Sequence, residues 1–243
     1  YAALKQRIQM MYETGDVNYL EVLLRAESVS DFFTRMEYTK QLVEYDRGIM
    51  DNLVEFRDLD SGEHIKRTKD LTRIMINTYN KKYPEHFIID SSREKICRAA
   101  ALHDVGKISI SDTILNKKGR LTDEEMEIMK THTTKGYEII RGFKLNDDEE
   151  QERYSLDIAK YHHERWDGKG YPEGLQGDEI PLWSQIVGIV DVYDALVSPR
   201  VYKKAFSHEK AMEMILAGEC GTFNPILLEC LKDAEELLKN EYK

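Results

Sequence analysis

The chain has 243 residues and a formal net charge of −10, with 41% apolar and 33% charged residues. This length and balance predict a soluble globular protein with a sizeable core and argue against a disordered chain. The negative charge disfavours binding to DNA or RNA polymers, and no apolar run approaches the ~18 residues of a membrane span. Three cysteines without CxxC spacing indicate a reducing setting, the cytoplasm, rather than a disulfide framework.

Apolar residues recur at helical rather than alternating spacing along the chain, which predicts an all-α protein. Residues 1–57 contain no His or Cys, and their last segment carries an apolar stripe that steps by three or four residues. Such a stripe suits a helical hairpin or coiled coil, so we predict a packing or dimerisation element here, with a homodimer formed through these helices. The stripe is Leu42, Tyr45, Ile49, Leu53 and Phe56.

Residues 58–243 form the second predicted domain, in which helical spacing predicts a series of further helices. Thr122, in LTDEE, is followed three residues later by Glu125, which is the signature of a capping box at a helix start. Pro225 takes a first-turn position of the last helix. The predicted helices cover residues 63–82, 93–104, 122–141, 149–165, 182–197, 208–218 and 224–240.

Five of the seven histidines lie on or beside apolar faces of these helices, and two aspartates lie with them. A single histidine there is usually a satisfied core residue, but an unpaired ionised carboxylate in a core is very costly. A shared cation would neutralise Asp104 and Asp191, and His and carboxylate ligands favour Fe, Mn, Zn or Co. His86 and His208 are expected at the surface instead. The predicted ligands are His64, His103, Asp104, His132, His162, His163 and Asp191.

Two local features refine this prediction. Adjacent helix residues point about 100° apart, so Asp104 could bridge two metals while His103 binds one of them.

The stretch HHERWDGKGYPEGLQGDEIP, residues 162–181, begins with two adjacent histidines and then contains several glycines. Ordering glycines costs conformational entropy, which indicates that a ligand is bound at this loop.

Several separated blocks then match a known family in order and spacing. His64, HDVGK at residues 103–107 and the aspartate in DVYDAL resemble the HD superfamily of metal-dependent phosphohydrolases. His132, HHERWDG and GYPEGLQGDEIP narrow the resemblance to its HD-GYP branch, over about residues 58–243. The resemblance implies an all-helical domain that hydrolyses a cyclic dinucleotide, above all cyclic di-GMP, with two or three metals, often iron or manganese.

By this resemblance, Asp104 would bridge two metals, and Lys107 would lie near the water and the scissile phosphate as a second catalytic residue. Members with three metals usually carry Glu four residues before the first histidine, where this chain has Asp60. Asp60 is therefore either a ligand of a third metal or a helix N-cap paired with Glu63. The implied metal groups are His64, His103, Asp104 and Asp191 for the first ion, and Asp104, His132, His162 and His163 for the second.

The resemblance also implies where the substrate binds. Arg200 and Lys203, in SPRVYKKAF, would hold its phosphates, and the loop of Gly170, Tyr171 and Pro172 would lie beside it. An alternative is a catalytically weak sensor that binds the cyclic dinucleotide without turning it over. A hydrolase of nucleotide monophosphates or triphosphates is a third interpretation, against which the second metal group and the GYP block argue.

The N-terminal segment resembles a different family. MYETGDVNYLEVLLRAESVSDFFTRMEYTKQLVEYD, within residues 1–57, is similar to the coiled-coil region of extracytoplasmic proteins associated with peptidoglycan hydrolysis. The segment contains none of the residues to which we assign chemistry. Beside a domain with a cytoplasmic substrate, three explanations stay open: a natural fusion, an engineered fusion or a misleading similarity.

Overall fold

A computed structural model of the chain describes residues 61–143, 148–198 and 205–242. In these ranges the secondary structure is helical, with one isolated β-bridge between Asp167 and Gln176, which confirms the predicted all-α class. No helix in the described ranges combines the length and apolar character that crossing a membrane requires. The predictions for residues 1–57, Asp60, Arg200 and Lys203 lie outside the described residues.

Ten α-helices and three short 3₁₀ helices are described, and five of the α-helices begin at a residue whose side chain caps the first turn. Thr122 and Glu125 form the predicted capping box, and Pro225 stands at the first turn of its helix as predicted. The 3₁₀ helices are Pro84–His86, Val105–Ser109 and Gly177–Glu179. The α-helices are α1 Ser61–Lys82, α2 Asp90–Ala100, α3 Asp112–Leu115, α4 Asp123–Lys130, α5 His132–Phe143, α6 Glu149–Tyr161, α7 Leu182–Val197, α8 His208–Leu216, α9 Pro225–Asp233 and α10 Glu235–Asn240.

The core forms around α7, which packs against α1, α6 and α8. Ile186, Val187 and Ile189 of α7 are fully buried, and so are Leu71 and Met75 of α1. Each such side chain contributes roughly 1.5–3 kcal/mol by leaving water. A helix that is apolar almost all round packs on most of its sides, so Asp191 of α7 is largely enclosed, with 14% of its side chain exposed.

Helix boundaries differ from the sequence prediction at the functional positions. The predicted helix 93–104 ends at Ala100, so His103 and Asp104 lie in the turn before the 3₁₀ helix, and the argument from helical spacing for this pair is wrong. The helix predicted to reach residue 165 ends at Tyr161. Breaks at Thr131 and Ala234 divide two other predicted helices. Periodicity does not detect such one-residue breaks, because both halves keep nearly the same phase.

Candidate metal centre

Five separate segments bring the seven predicted ligands together. The first group is on α1, the turn after α2 and the middle of α7, and the second is on that same turn, the start of α5 and the end of α6. Within each group the candidate ligand atoms lie within 4.8 Å of one another. The first group is His64, His103 and Asp191, and the second is Asp104, His132, His162 and His163.

Three of the imidazole rings are oriented by carbonyl groups at helix ends. A carbonyl oxygen only accepts hydrogen bonds, so Nδ1 of each ring donates to it, and in the neutral ring Nε2 keeps its lone pair. The last carbonyls of a helix have no partner inside it, which makes them available for this task. The Nδ1–oxygen distances are 2.7 Å from His103 to Ala100, 2.7 Å from His132 to Met129 and 2.8 Å from His162 to Ile158.

Asp104 lies between the two groups. Its Oδ2 is 3.2 Å from Nε2 of His103, and its Oδ1 is 3.3 Å from Nε2 of His132 and 3.8 Å from Nε2 of His162. Oδ2 also lies 2.6 Å from Nζ of Lys107. One carboxylate therefore presents a different oxygen to each group of imidazoles.

The donor atoms fit a divalent cation in each group. Nε2 of His103 and Oδ1 of Asp104 are buried and have no hydrogen-bond partner among the described residues. Leaving such buried atoms without a partner is costly in free energy, and a cation bound in each group would satisfy the atom that faces it. Nitrogen and carboxylate oxygen donors without thiolate match transition metals such as iron, manganese or zinc.

The protonation states of the second group suit metal binding. Burial would raise the pKa of Asp104, but the charges of Lys107 and His103 outweigh it and hold that pKa well below its ordinary range. Burial lowers the pKa of His162 strongly and that of His163 to about 3. The carboxylate is therefore ionised and both imidazoles are neutral, which are the forms that ligate metals.

His103 shows the opposite shift. Burial would lower its pKa, but the negative charges of Asp104 and Asp191 outweigh burial and raise the pKa well above the ordinary value. Two buried carboxylates thus draw a proton to the ring between them. A cation in this place would take over the neutralising role of that proton, since metal binding releases protons from its ligands.

Glu164 holds the glycine-rich loop against the second group. Its side chain is only 5% exposed, and its two oxygens accept backbone N–H groups from Glu173, Gly174 and Leu175 at 2.8, 3.1 and 3.1 Å. The loop passes so close that a Cβ on Gly170 would lie 2.4 Å from the Cα of Glu164. A side chain larger than hydrogen at Gly170 would therefore push the loop away.

The loop places Tyr171 on a ligand ring. The Tyr171 and His163 rings stack with centroids 4.7 Å apart at 30°, and the backbone N–H of Tyr171 donates to the carbonyl of His163 at 3.3 Å. Nζ of Lys130 lies 5.7 Å from the Tyr171 centroid. Gly170, Tyr171 and Pro172 thus lie beside the second group, and their contact with a substrate stays a prediction.

Two carboxylates that the sequence reasoning left without a role take part in the site. Glu164 orders the loop, and Asp194 lies 2.6 Å from Nδ1 of His64. Asp194 stands three residues after Asp191 in the same apolar helix, so the argument that a buried carboxylate needs a partner could have identified it as well. No residue pattern in the sequence pointed to Glu164, because its hydrogen-bond partners are backbone amides rather than particular side chains.

The two remaining histidines lie outside both groups. His86 is exposed, as predicted. The surface prediction for His208 is wrong, since its side chain is 8% exposed and Nδ1 lies 2.5 Å from the hydroxyl of Tyr193. The helix that begins at His208 packs on α7, and this turns the ring inward.

Comparison with known families agrees with the motifs. The family model of the HD domain matches residues 63–223, and that of the coiled-coil domain of peptidoglycan hydrolase PcsB matches residues 1–57. Both resemblances predicted from the sequence are therefore confirmed.

Three curated relatives are all named as phosphodiesterases of a cyclic dinucleotide. A Vibrio cholerae serotype O1 protein named cyclic di-GMP phosphodiesterase is 40% identical over 187 residues, which cover 76% of this chain and 38% of that protein. A Thermotoga maritima protein of the same name is 35% identical over 244 residues, covering 99% and 62%. A 3'3'-cGAMP-specific phosphodiesterase 2 of Vibrio cholerae is 36% identical over 208 residues, covering 86% and 37%. The chain spans less than two thirds of each of these relatives.

A solved structure shares the fold. Bd1817, described as a HDG"Y"P protein from Bdellovibrio bacteriovorus, superimposes with a TM-score of 0.53 at 16% identity, covering 96% of this chain and 72% of that one. At this identity the likeness shows the fold alone.

Proposed function

Because the chain belongs to the HD-domain family, we propose that it is a metal-dependent phosphodiesterase that hydrolyses a cyclic dinucleotide, cyclic di-GMP above all, to the linear dinucleotide and then to GMP. The observation that supports the proposal is the convergence of seven candidate ligand side chains into two adjacent groups, which Asp104 links by facing each with a different oxygen. The names of the relatives support the same reaction class.

In this proposal each group would hold one divalent ion, iron or manganese, and Asp104 would contribute one carboxylate oxygen toward each group. The ions, when bound, supply Lewis acidity toward the phosphoryl oxygens and lower the pKa of water. Asp60 is a candidate ligand of a third ion. The first ion would be held by His64, His103, Asp104 and Asp191, and the second by Asp104, His132, His162 and His163.

The other residues bind and orient the substrate. Lys107 lies beside Asp104 with a side chain that is 25% exposed, so its ammonium group can also reach a phosphoryl oxygen and offset the charge that builds there. Tyr171, stacked on His163, would form one wall of the substrate site. Arg200 and Lys203 would bind the phosphates through charge-assisted hydrogen bonds.

The test is turnover by metal-free protein and by protein reconstituted anaerobically with iron or manganese. Cyclic di-GMP and 3'3'-cGAMP are supplied separately and the products are resolved by chromatography. We expect the linear dinucleotide from the loaded protein, none from Asp104→Asn, and unchanged turnover from His86→Ala, whose ring is exposed. Tight binding without turnover by the loaded wild-type protein would contradict the proposal and favour the sensor.

We further propose that residues 1–57 are a separate dimerisation element preceding the catalytic domain of residues 58–243. The apolar stripe around Ile49 and the coiled-coil family match support this division. Ile49→Asp in the whole chain should halve the mass measured by light scattering. A dimeric mass in this variant would contradict the proposed interface.

A further inference from the structure

Helix α7 presents one carboxylate to each nitrogen of the His64 ring. Oδ1 of Asp191 lies 3.9 Å from Nε2, and Oδ2 of Asp194 lies 2.6 Å from Nδ1. Nε of Arg67 lies 2.7 Å from Oδ1 of Asp194, and this permanent positive charge keeps the carboxylate ionised. An ionised carboxylate only accepts, so Nδ1 of His64 carries the proton and Nε2 keeps its lone pair for the first metal group.

Asp194 is itself held by donors from α1, from the segment after α10 and from the residue that caps the end of its own helix. Its Oδ1 accepts from Nε of Arg67 at 2.7 Å, from the hydroxyl of Tyr242 at 2.5 Å and from the hydroxyl of Ser198 at 3.2 Å. The Asp194 side chain is only 2% exposed, so water contributes little to these bonds. One oxygen therefore faces His64, with a longer contact from Nη2 of Arg67 at 3.5 Å, and the other faces the residues that fix the orientation of the carboxylate.

Tyr242 is the most C-terminal of these donors and lies two residues beyond α10. Its ring lies under the guanidinium of Arg67 at 5.5 Å and edge-on to Tyr193 at 5.9 Å between centroids. These contacts aim the hydroxyl at Asp194. A segment that follows the last described helix thus touches the residue behind a candidate metal ligand.

We propose that Asp194 is a positioning residue that fixes the tautomer and direction of the His64 ring, and that the Tyr242 hydroxyl holds Asp194 in place for this purpose. The inference rests on the proposed metal centre. It predicts that the Tyr242 hydroxyl strengthens metal binding by the first group only, because neither Asp194 nor Tyr242 contacts the second group.

The variant Asp194→Asn tests the first step. An amide keeps the size of the side chain but turns one acceptor into a donor, and donors face both oxygens of Asp194. Whichever way the amide turns, its NH2 group faces either the Nδ1–H of His64 or the Nε–H of Arg67, so one of these two bonds is lost. Loss of a partner behind a metal-ligating histidine typically weakens metal binding about 10–100-fold.

The readout is titration of metal-free protein with Mn²⁺, with free ion followed by electron paramagnetic resonance. We expect Asp194→Asn to weaken one of two sites about 10–100-fold, and Tyr242→Phe to weaken the same site roughly 2–10-fold, the effect of one hydrogen bond. Asp194→Glu, which restores the carboxylate, should recover part of the loss. Tyr83→Phe is the matched control, because it removes a hydroxyl that lies 3.3 Å from Glu229 at the surface.

The outcomes separate this inference from the proposed function. Wild-type affinity at both sites in Asp194→Asn and Tyr242→Phe would overturn the inference and leave the metal centre standing. Equal weakening of both sites would overturn it too, because a general loss of structure has no preference between them. Wild-type protein that binds no Mn²⁺ would overturn both. Tyr242→Phe keeps the ring and its packing, so it remains informative if Asp194→Asn does not fold.

Discussion

Gly106 lies directly against the backbone of His132. A Cβ on Gly106 would stand 1.8 Å from the carbonyl oxygen of His132 and 2.5 Å from the nitrogen of Gly136. The 3₁₀ helix 105–109 and α5 therefore meet backbone to backbone. This contact is what brings Asp104, two residues earlier, within reach of the His132 ring.

Gly106→Ala should consequently disrupt both stability and the second metal group. The obstruction is backbone rather than a flexible side chain, so we expect a loss of about 3 kcal/mol, the upper part of the range for overpacked positions. Thermal unfolding of the metal-free protein measures it. Gly142→Ala is the control, since nothing lies within 4 Å of its added Cβ in α5 and alanine favours helices. Equal melting temperatures for the two variants would contradict the backbone contact.

Glu164→Gln should loosen the glycine-rich loop. Both oxygens of Glu164 accept backbone amides, so an amide side chain leaves at least one of these N–H groups facing another donor. Hydrogen bonds to charged groups contribute ~1.5–3 kcal/mol, and we expect a loss of this order together with faster proteolysis within residues 168–177.

The control for the loop is Glu179→Gln. Glu179 is exposed and accepts the backbone N–H of Gln176 with one oxygen, so the amide can keep that bond with its remaining oxygen. An intact loop and unchanged melting temperature in Glu164→Gln would show that the three bonds do not hold the loop.

His162→Ala should lower the metal content of the reconstituted protein from two ions per chain to one, because the side chain belongs to the second of the two ligand groups. Elemental analysis after removal of free metal gives the ratio. His86→Ala should leave the content unchanged, since that ring is exposed and outside both groups. A wild-type protein without transition metal after reconstitution would contradict the proposed mechanism.

Arg200→Ala should weaken binding of the cyclic dinucleotide by ~1.5–3 kcal/mol, the contribution of a hydrogen bond to a charged group. Arg200→Lys should recover only part of it, because lysine lacks the planar fork that binds two phosphate oxygens. Calorimetry on the metal-loaded variants measures the affinity, with metal content as the internal control. Wild-type affinity in Arg200→Ala would place the phosphate contacts elsewhere.

The amino-acid sequence by itself determined the helical class and the set of seven candidate ligands that the fold brings together. Both follow from local information. Helical spacing of apolar residues is visible within a few turns, and the cost of burying Asp191 without a partner can be argued from the apolar helix that carries it.

Only the tertiary structure decided how those ligands are oriented and supported. Asp194 and His64 are 130 residues apart, Tyr242 and Asp194 are 48 apart, and Glu164 binds amides 9 to 11 residues away. Helix α2 ends at Ala100, so His103 and Asp104 lie in a turn. The same short stretch of chain then brings Gly106 into close contact with His132. Such pairings depend on which segments meet once the core around α7 has packed, and periodicity along the chain does not predict them.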